Sequence, residues 1–198
     1  MTVLGITGPT GAGKTTLLRE VEKLGGAVID CDAVYHEMLK SDITLQDMLE
    51  REFGPLRDEG GAIDRKKLGG IVFGDPEKLE ALNAIAWKGI TRRVRDILEE
   101  CGQQGRALAA VDAIALAESP LKELCQLTVA VLAPQEVRVR RIMAREGISE
   151  DYAWARVKAQ RPDEYFIQSC DHVLVNDCAS AEEFAGLVRK KLEELFEP

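Results

Sequence analysis

Eight residues near the N-terminus, Gly8-Pro9-Thr10-Gly11-Ala12-Gly13-Lys14-Thr15, have the types and spacing to hold a chain of phosphates. They fit the pattern GxxxxGK followed by Ser or Thr, with Thr16 as the next residue. The glycines let backbone N–H groups turn toward an anion with no side chain in the way. A helix starting near Lys14 would aim the positive end of its dipole at the same anion. The Lys14 ammonium would bridge the outer phosphate oxygens, and the Thr15 hydroxyl would ligate Mg²⁺. The triplet Gly8, Gly11, Gly13 does not have the GxGxxG spacing of a dinucleotide turn. The chemistry that follows is that of a phosphotransferase using ATP. A guanine-reading NKxD segment is absent, which argues against a GTPase.

Further residues could complete such chemistry. Asp30 and Asp32 close an apolar run, Ala27-Val28-Ile29. A carboxylate there could accept a proton from an attacking hydroxyl or order Mg²⁺, or Asp32 could cap a helix. Asp112 ends another apolar run, where a magnesium-organising acid often stands. Between 138 and 161 lie seven cations (Arg138, Arg140, Arg141, Arg145, Arg156, Lys158, Arg161) against Glu146, Glu150 and Asp151. Phosphoryl transfer spreads negative charge over oxygens that arginines on a closing lid could stabilise. Arg141 and Arg145, one helical turn apart, are the strongest candidates. His36 and His172 are expected to be structural.

The elements that must position these residues are legible as apolar runs. Val3 to Thr7 reads as a strand, followed after the glycines by a helix with Leu17, Leu18, Val21 and Leu24 on one face. Further strands are expected at 27–29, 107–111, 127–132 and 172–175. Their lack of alternation predicts burial on both faces and hence a parallel sheet between helices. Residues 33–104 read as mostly helical, with Asp75 and Pro76 opening a helix. A closing helix is expected over 181–195, with Phe184, Leu187, Val188, Leu192 and Leu195 on its apolar side.

Bulk properties narrow the partners. Of 198 residues, 45% are hydrophobic and 30% charged, with a net charge of −8. That balance argues against a nucleic acid or an anionic membrane as the main partner. No run is long and apolar enough to span a bilayer, and the N-terminus lacks the pattern of a removable signal. Five cysteines without a CxxC pair read as reduced thiols of a cytoplasmic protein.

These residues together resemble the dephospho-coenzyme A kinase family over nearly the whole chain. The likeness lies in LGITGPTGAGKTT, in GGAVIDCDAV, and in DEGGAIDRKKLGGIVFGDPEKLEALN with its Asp64-Arg65 pair. It continues through DAIALAES, RRIMAREGIS, Gln160 and DHVLVND. The resemblance implies transfer of the ATP γ-phosphate to the ribose 3′-hydroxyl of dephospho-CoA, the last step of coenzyme A synthesis. It makes Asp32 the candidate base, with Lys14 and Arg145 acting on the phosphates and Arg141 packing by the adenine. Two departures fall where the acceptor should bind. Trp87-Lys88 stands where the family usually has His-Pro, and Ile114-Ala115-Leu116-Ala117 where it usually has Pro-Leu-Leu-Phe.

The expected fold is α/β, a three-layer P-loop kinase core with a five-stranded parallel sheet, a helical insertion and a lid. The nucleotide-binding core takes residues 1–32 and 105–198, the acceptor-binding insertion 33–104, and the lid 141–160. ATP and Mg²⁺ are the expected cofactors and dephospho-CoA the expected partner. Open alternatives are a kinase for another nucleotide or small hydroxylated acceptor, and a nucleotide-binding regulator without catalysis.

Overall fold

The computed structural model describes residues 1–196. Five strands, β1 (Thr2–Thr7), β2 (Ala27–Asp30), β3 (Leu108–Asp112), β4 (Leu127–Leu132) and β5 (His172–Val175), form a parallel sheet in the order β2-β3-β1-β4-β5. The pairing of β1 with both β3 and β4 sets Ile6 beside Asp112 and Thr7 beside Ala130. In parallel sheets ligands gather at the carboxyl ends of the strands. Here that edge carries Gly8, Asp112 and Asn176.

The central strands are buried on both faces because their residues feed two different cores. Val129 and Val131 of β4 turn to a cluster with Leu4, Ile6, Leu17 and Phe184. Ala130 and Leu132 turn to the other face, against Phe166. Helices α1 (Lys14–Lys23) and α9 (Ala181–Phe196) cover the first face, and α8 (Asp163–Ser169) covers part of the second. Phe184 is fully buried, and truncating such a side chain costs about 3–5 kcal/mol. The edge strands β2 and β5 are only partly buried, since each lacks a neighbour on one side. Two apolar residues expected on covered faces are exposed. Leu24 ends α1 as its C-cap, and Leu187 stands off the buried stripe of α9 formed by Phe184, Val188 and Leu192.

The described residues form two compact units, one of Met1–Ile29 with the residues from Cys101 onward, the other Asp30–Glu100. The second unit holds α2 (Cys31–Ser41), α3 (Ile43–Phe53), α4 (Arg65–Val72) and most of α5 (Pro76–Gln103), a single 28-residue helix. Acidic caps set where these helices start. Asp42 accepts the N–H of Leu45, Asp64 those of Lys66 and Lys67, and Asp75 those of Glu77 and Lys78. In the first unit, α6 (Gln135–Glu146) and α7 (Glu150–Lys158) pack through a small core of Val139, Ile142, Ala153 and Val157. Among the described residues no helix is long and apolar enough to cross a membrane.

Candidate active site

The phosphate loop links β1 to α1, and its glycines are required by close packing as well as by rotation. Gly8 has φ 136°, and a Cβ there would lie 2.1 Å from the carbonyl oxygen of Val131. Gly13 has φ 110°, and a Cβ there would lie 2.3 Å from Asn176 Nδ2. Inside the loop, Ala12 N–H donates to Pro9 O at 3.2 Å and Thr16 N–H to Gly13 O at 3.0 Å. Gly13 is the N-cap of α1, and no side chain caps that helix. The first N–H groups of a helix are orphan donors, so this end is built for an anion rather than for a cap.

Lys14 is held over the loop it serves. Its Nζ donates to Gly8 O at 3.1 Å and stands 3.9 Å from Asp112 Oδ1 at the end of β3. An ammonium has three donors, so phosphate oxygens can join these partners. Thr15 is exposed in the first turn of α1, with Thr16 half-buried behind it. The described residues hold no group of three or more His, Cys, Asp or Glu suited to a metal. Mg²⁺ usually takes one or two protein oxygens besides phosphate and water, and the exposed Thr15 hydroxyl is an oxygen of that kind.

Behind the loop, four side chains grip its backbone. Arg138 of α6 is only 2% exposed. Its Nε donates to Thr10 O at 3.1 Å and its Nη2 to Gln160 Oε1 at 2.9 Å. The same Gln160 oxygen accepts Thr10 N–H at 2.8 Å. Arg141 donates to the carbonyls of Gly11 and Ala12, each at 3.2 Å, and to Asn176 Oδ1 at 3.1 Å. Asn176 Nδ2 donates to Ala12 O at 2.8 Å. Burial pushes both guanidinium groups below their ordinary value, and the charge of Asp163 opposes this at Arg138. Sequence reasoning missed the roles of Arg138, Gln160 and Asn176. The signal for Asn176 was its place: it directly follows β5, at the carboxyl edge of the sheet where ligands gather.

Arg145 does not join Arg141 at the loop. It stands on the exposed end of α6 and donates to Glu146 Oε1 at 2.6 Å, where Arg156 also pairs. Hydrogen bonds from Arg145 and then Arg156 hold the Glu146 carboxyl below the usual carboxylate range. Arg161 binds Glu118 at 2.7 Å and covers the Tyr165 ring. Pro9, Ile114, Glu118, Gln160, Arg161 and Tyr165 are among the residues lining a cavity of about 290 Å³ beside the loop.

The two acidic residues after β2 part ways. Asp30, not Asp32, is the cap of α2: its Oδ1 accepts the N–H groups of Asp32 and Ala33 at 2.9 and 3.0 Å. The strand therefore stops at Asp30, and Asp32 stands exposed in the first helical turn instead of continuing the strand. Farther along the same unit lies a cavity of about 840 Å³. Leu39, Leu68, Val72 and Phe73 make its apolar wall, with Tyr35, His36, Arg65 and Lys66 also lining it. Burial raises the Tyr35 phenol above its ordinary value, against the pull of the Arg65 charge.

Comparison with known proteins places this geometry. Residues 2–182 match the family model described as dephospho-CoA kinase. A dephospho-CoA kinase of Carboxydothermus hydrogenoformans is 35% identical over 175 residues, covering 88% of this chain and 85% of its own. One from Aquifex aeolicus is 33% identical, covering 97% and 96%. A crystal structure from Thermus thermophilus superposes with a TM-score of 0.79 at 32% identity, covering 100% of this chain and 98% of that one. A shikimate kinase from Acinetobacter baumannii shares the fold alone, with a TM-score of 0.54 at 17% identity, over 98% of this chain and 93% of its own.

Proposed function

We infer the reaction from one premise: the chain belongs to the dephospho-CoA kinase family. On that premise it moves the γ-phosphoryl group of ATP to the ribose 3′-hydroxyl of dephospho-CoA, releasing CoA and ADP. The observation that carries the reading is the match over nearly the full chain, joined to a phosphate loop whose glycines, lysine and threonine are all present.

The residues divide the work as follows. Loop N–H groups, those of Gly11 and Gly13 among them, bind the phosphates, and Lys14 spans the outer ones. The Thr15 hydroxyl would help hold a nucleotide-borne Mg²⁺, which would supply charge neutralisation for the transferring group. In the step itself the 3′-oxygen bonds to the γ-phosphorus. The bond to the bridging oxygen breaks, and its electron pair leaves on ADP. Asp32 is the residue we assign to receive the hydroxyl proton. Arg141 borders the adenine, and Arg145 serves the transition-state charge from the 141–160 lid once it leaves Glu146. The insertion takes the acceptor. Its cavity sets an apolar wall beside Arg65 and Lys66, which suits an acceptor with a long uncharged arm and a diphosphate. Cytoplasmic residence belongs to the same proposal, supported by five cysteines scattered singly along the chain.

A second reading is favoured by specific residues. Trp87-Lys88 and Ile114-Ala115-Leu116-Ala117 depart from the family pattern in acceptor-side segments. They fit a kinase for a related small hydroxylated acceptor. The test is incubation with ATP, Mg²⁺ and dephospho-CoA beside adenosine, AMP and shikimate, with product mass as readout. CoA formed far faster than any other product supports the first reading. Another phosphorylated product supports the second. ATP binding without any product makes the chain a nucleotide-binding regulator and overturns both.

A further inference from the structure

The backbone of Thr10 is held at both its N–H and its C=O, in the two peptide groups that flank its Cα, by one pair of side chains. Its N–H goes to Gln160 Oε1, its C=O to Arg138 Nε, and Arg138 Nη2 closes the triangle on the same Gln160 oxygen. Arg138 comes from α6, and Gln160 from the turn after α7, 22 residues later. Thr10 lies 128 and 150 residues away from them. A guanidinium 2% exposed is an expensive thing to bury. Asp163, the acid paired with it, is 4.0 Å away, so most of its hydrogen bonding goes to the loop and to Gln160.

Peptide geometry says what this grip does. A trans peptide is planar, with the C=O of one residue antiparallel to the N–H of the next. Fixing Thr10 C=O toward α6 therefore turns the Gly11 N–H to the opposite side. Arg141 and Asn176 fix Ala12 C=O in the same way and turn the Gly13 N–H. The loop's anion-facing donors are thus set by what holds the carbonyls between them.

We propose that Arg138 and Gln160 are positioning residues for phosphate binding: Arg138 orients the Gly11 N–H through the Thr10 C=O of the same peptide, and Gln160 fixes the peptide before it and holds Arg138 in place. They touch no ligand themselves. Gln160 also stands at the end of the 141–160 segment, so the setting of the loop and the seating of that segment are one hydrogen-bonded unit. The proposal rests on the phosphotransferase reading but not on the identity of the acceptor.

The experiment uses the full chain with Gln160→Ala, Arg138→Met and the double variant, and measures affinity for ATP, inorganic tripolyphosphate and adenosine by calorimetry, beside thermal unfolding. Gln160→Ala is expected to weaken ATP and tripolyphosphate about tenfold, with adenosine unchanged. Arg138→Met keeps much of the buried volume and is expected to do the same. Because the two side chains are hydrogen-bonded to each other and hold the same residue, Thr10, the double variant should fall well short of the product of the single effects. If Arg138→Met does not fold, Gln160→Ala decides alone, since Gln160 is half-buried in a turn. A folded Gln160→Ala protein with wild-type tripolyphosphate affinity overturns the proposal. So does equal loss of adenosine and tripolyphosphate, which would mark a general loosening. Failure to phosphorylate dephospho-CoA in the wild type would overturn the acceptor assignment and leave these binding results intact.

Discussion

Asn176 offers a test of how much the loop depends on its supports. Replacing it with Ala removes two hydrogen bonds at a position only 3% exposed. One is Nδ2 to Ala12 O at 2.8 Å, a neutral pair worth about 1 kcal/mol net. The other is Arg141 Nη2 to Oδ1 at 3.1 Å, a charged donor worth about 1.5–3 kcal/mol. Arg141 keeps its bonds to Gly11 and Ala12, so the Ala12 carbonyl is not stranded. The sum is a loss of about 2.5–4 kcal/mol. For a chain of this size each kcal/mol moves the midpoint about 2–4 °C, so Tm should fall by about 5–15 °C. ATP affinity should fall too, because the Ala12–Gly13 peptide loses its second anchor. Asn176→Asp separates the two bonds. It keeps an acceptor for Arg141 but sets a carboxylate against the Ala12 carbonyl, and should be no more stable than the Ala variant at neutral pH. Calorimetric unfolding and ATP titration are the assays. A Tm within about 2 °C of wild type with unchanged ATP affinity refutes the idea that Asn176 holds the loop.

Three other outcomes are expected. Asp32→Asn should lower kcat by about 10²–10³-fold with ATP affinity nearly unchanged; collapse of ATP binding would instead assign Asp32 to Mg²⁺. Lys14→Ala should abolish turnover and weaken ATP while leaving the unfolding midpoint close to wild type, and an active variant would sink the phosphate-loop assignment. Glu20 is buried, and hydrogen bonds from Lys23 and Arg189 hold its carboxyl below the usual range, against the opposing effect of burial. A lowered acid contributes stability above its unfolded pKa of about 4.3, and that contribution fades as pH falls through the folded value. Glu20→Gln should therefore melt below wild type at pH 7, with the gap closing under acid conditions; a gap constant across pH would mean the carboxylate charge is irrelevant.

How much of this could be read from the chain depended on whether the information was local. The phosphate loop is contiguous, and β1, β3 and β4 are unbroken apolar runs, so both stood out. The start of α2 did not, because Asp30 reads equally as a strand end and as a cap; the hydrogen bonds to Asp32 and Ala33 decide it. Leu24 and Leu187 fit apolar patterns but lie at a helix end and off a stripe, which periodicity alone does not resolve. The grip on the loop was least legible. Thr10, Arg138 and Gln160 meet only when α6 is laid against the loop, and nothing in their spacing announces it. Arg138 looked like one cation among seven, whereas it is the buried one. Arg145, chosen for sharing a face with Arg141, is drawn to Glu146 instead.

The anchored loop carbonyls also bear on entropy. Thr10, Gly11 and Ala12 each have their C=O held by Arg138, Arg141 or Asn176. Fixing one residue's backbone costs about 1–2 kcal/mol, and here folding has already met that cost for the residues a phosphate needs. Nucleotide binding then has little disorder left to remove from the loop. Its affinity at this point can reflect the strength of the N–H contacts themselves, and the loop amides should exchange slowly with solvent before any nucleotide arrives.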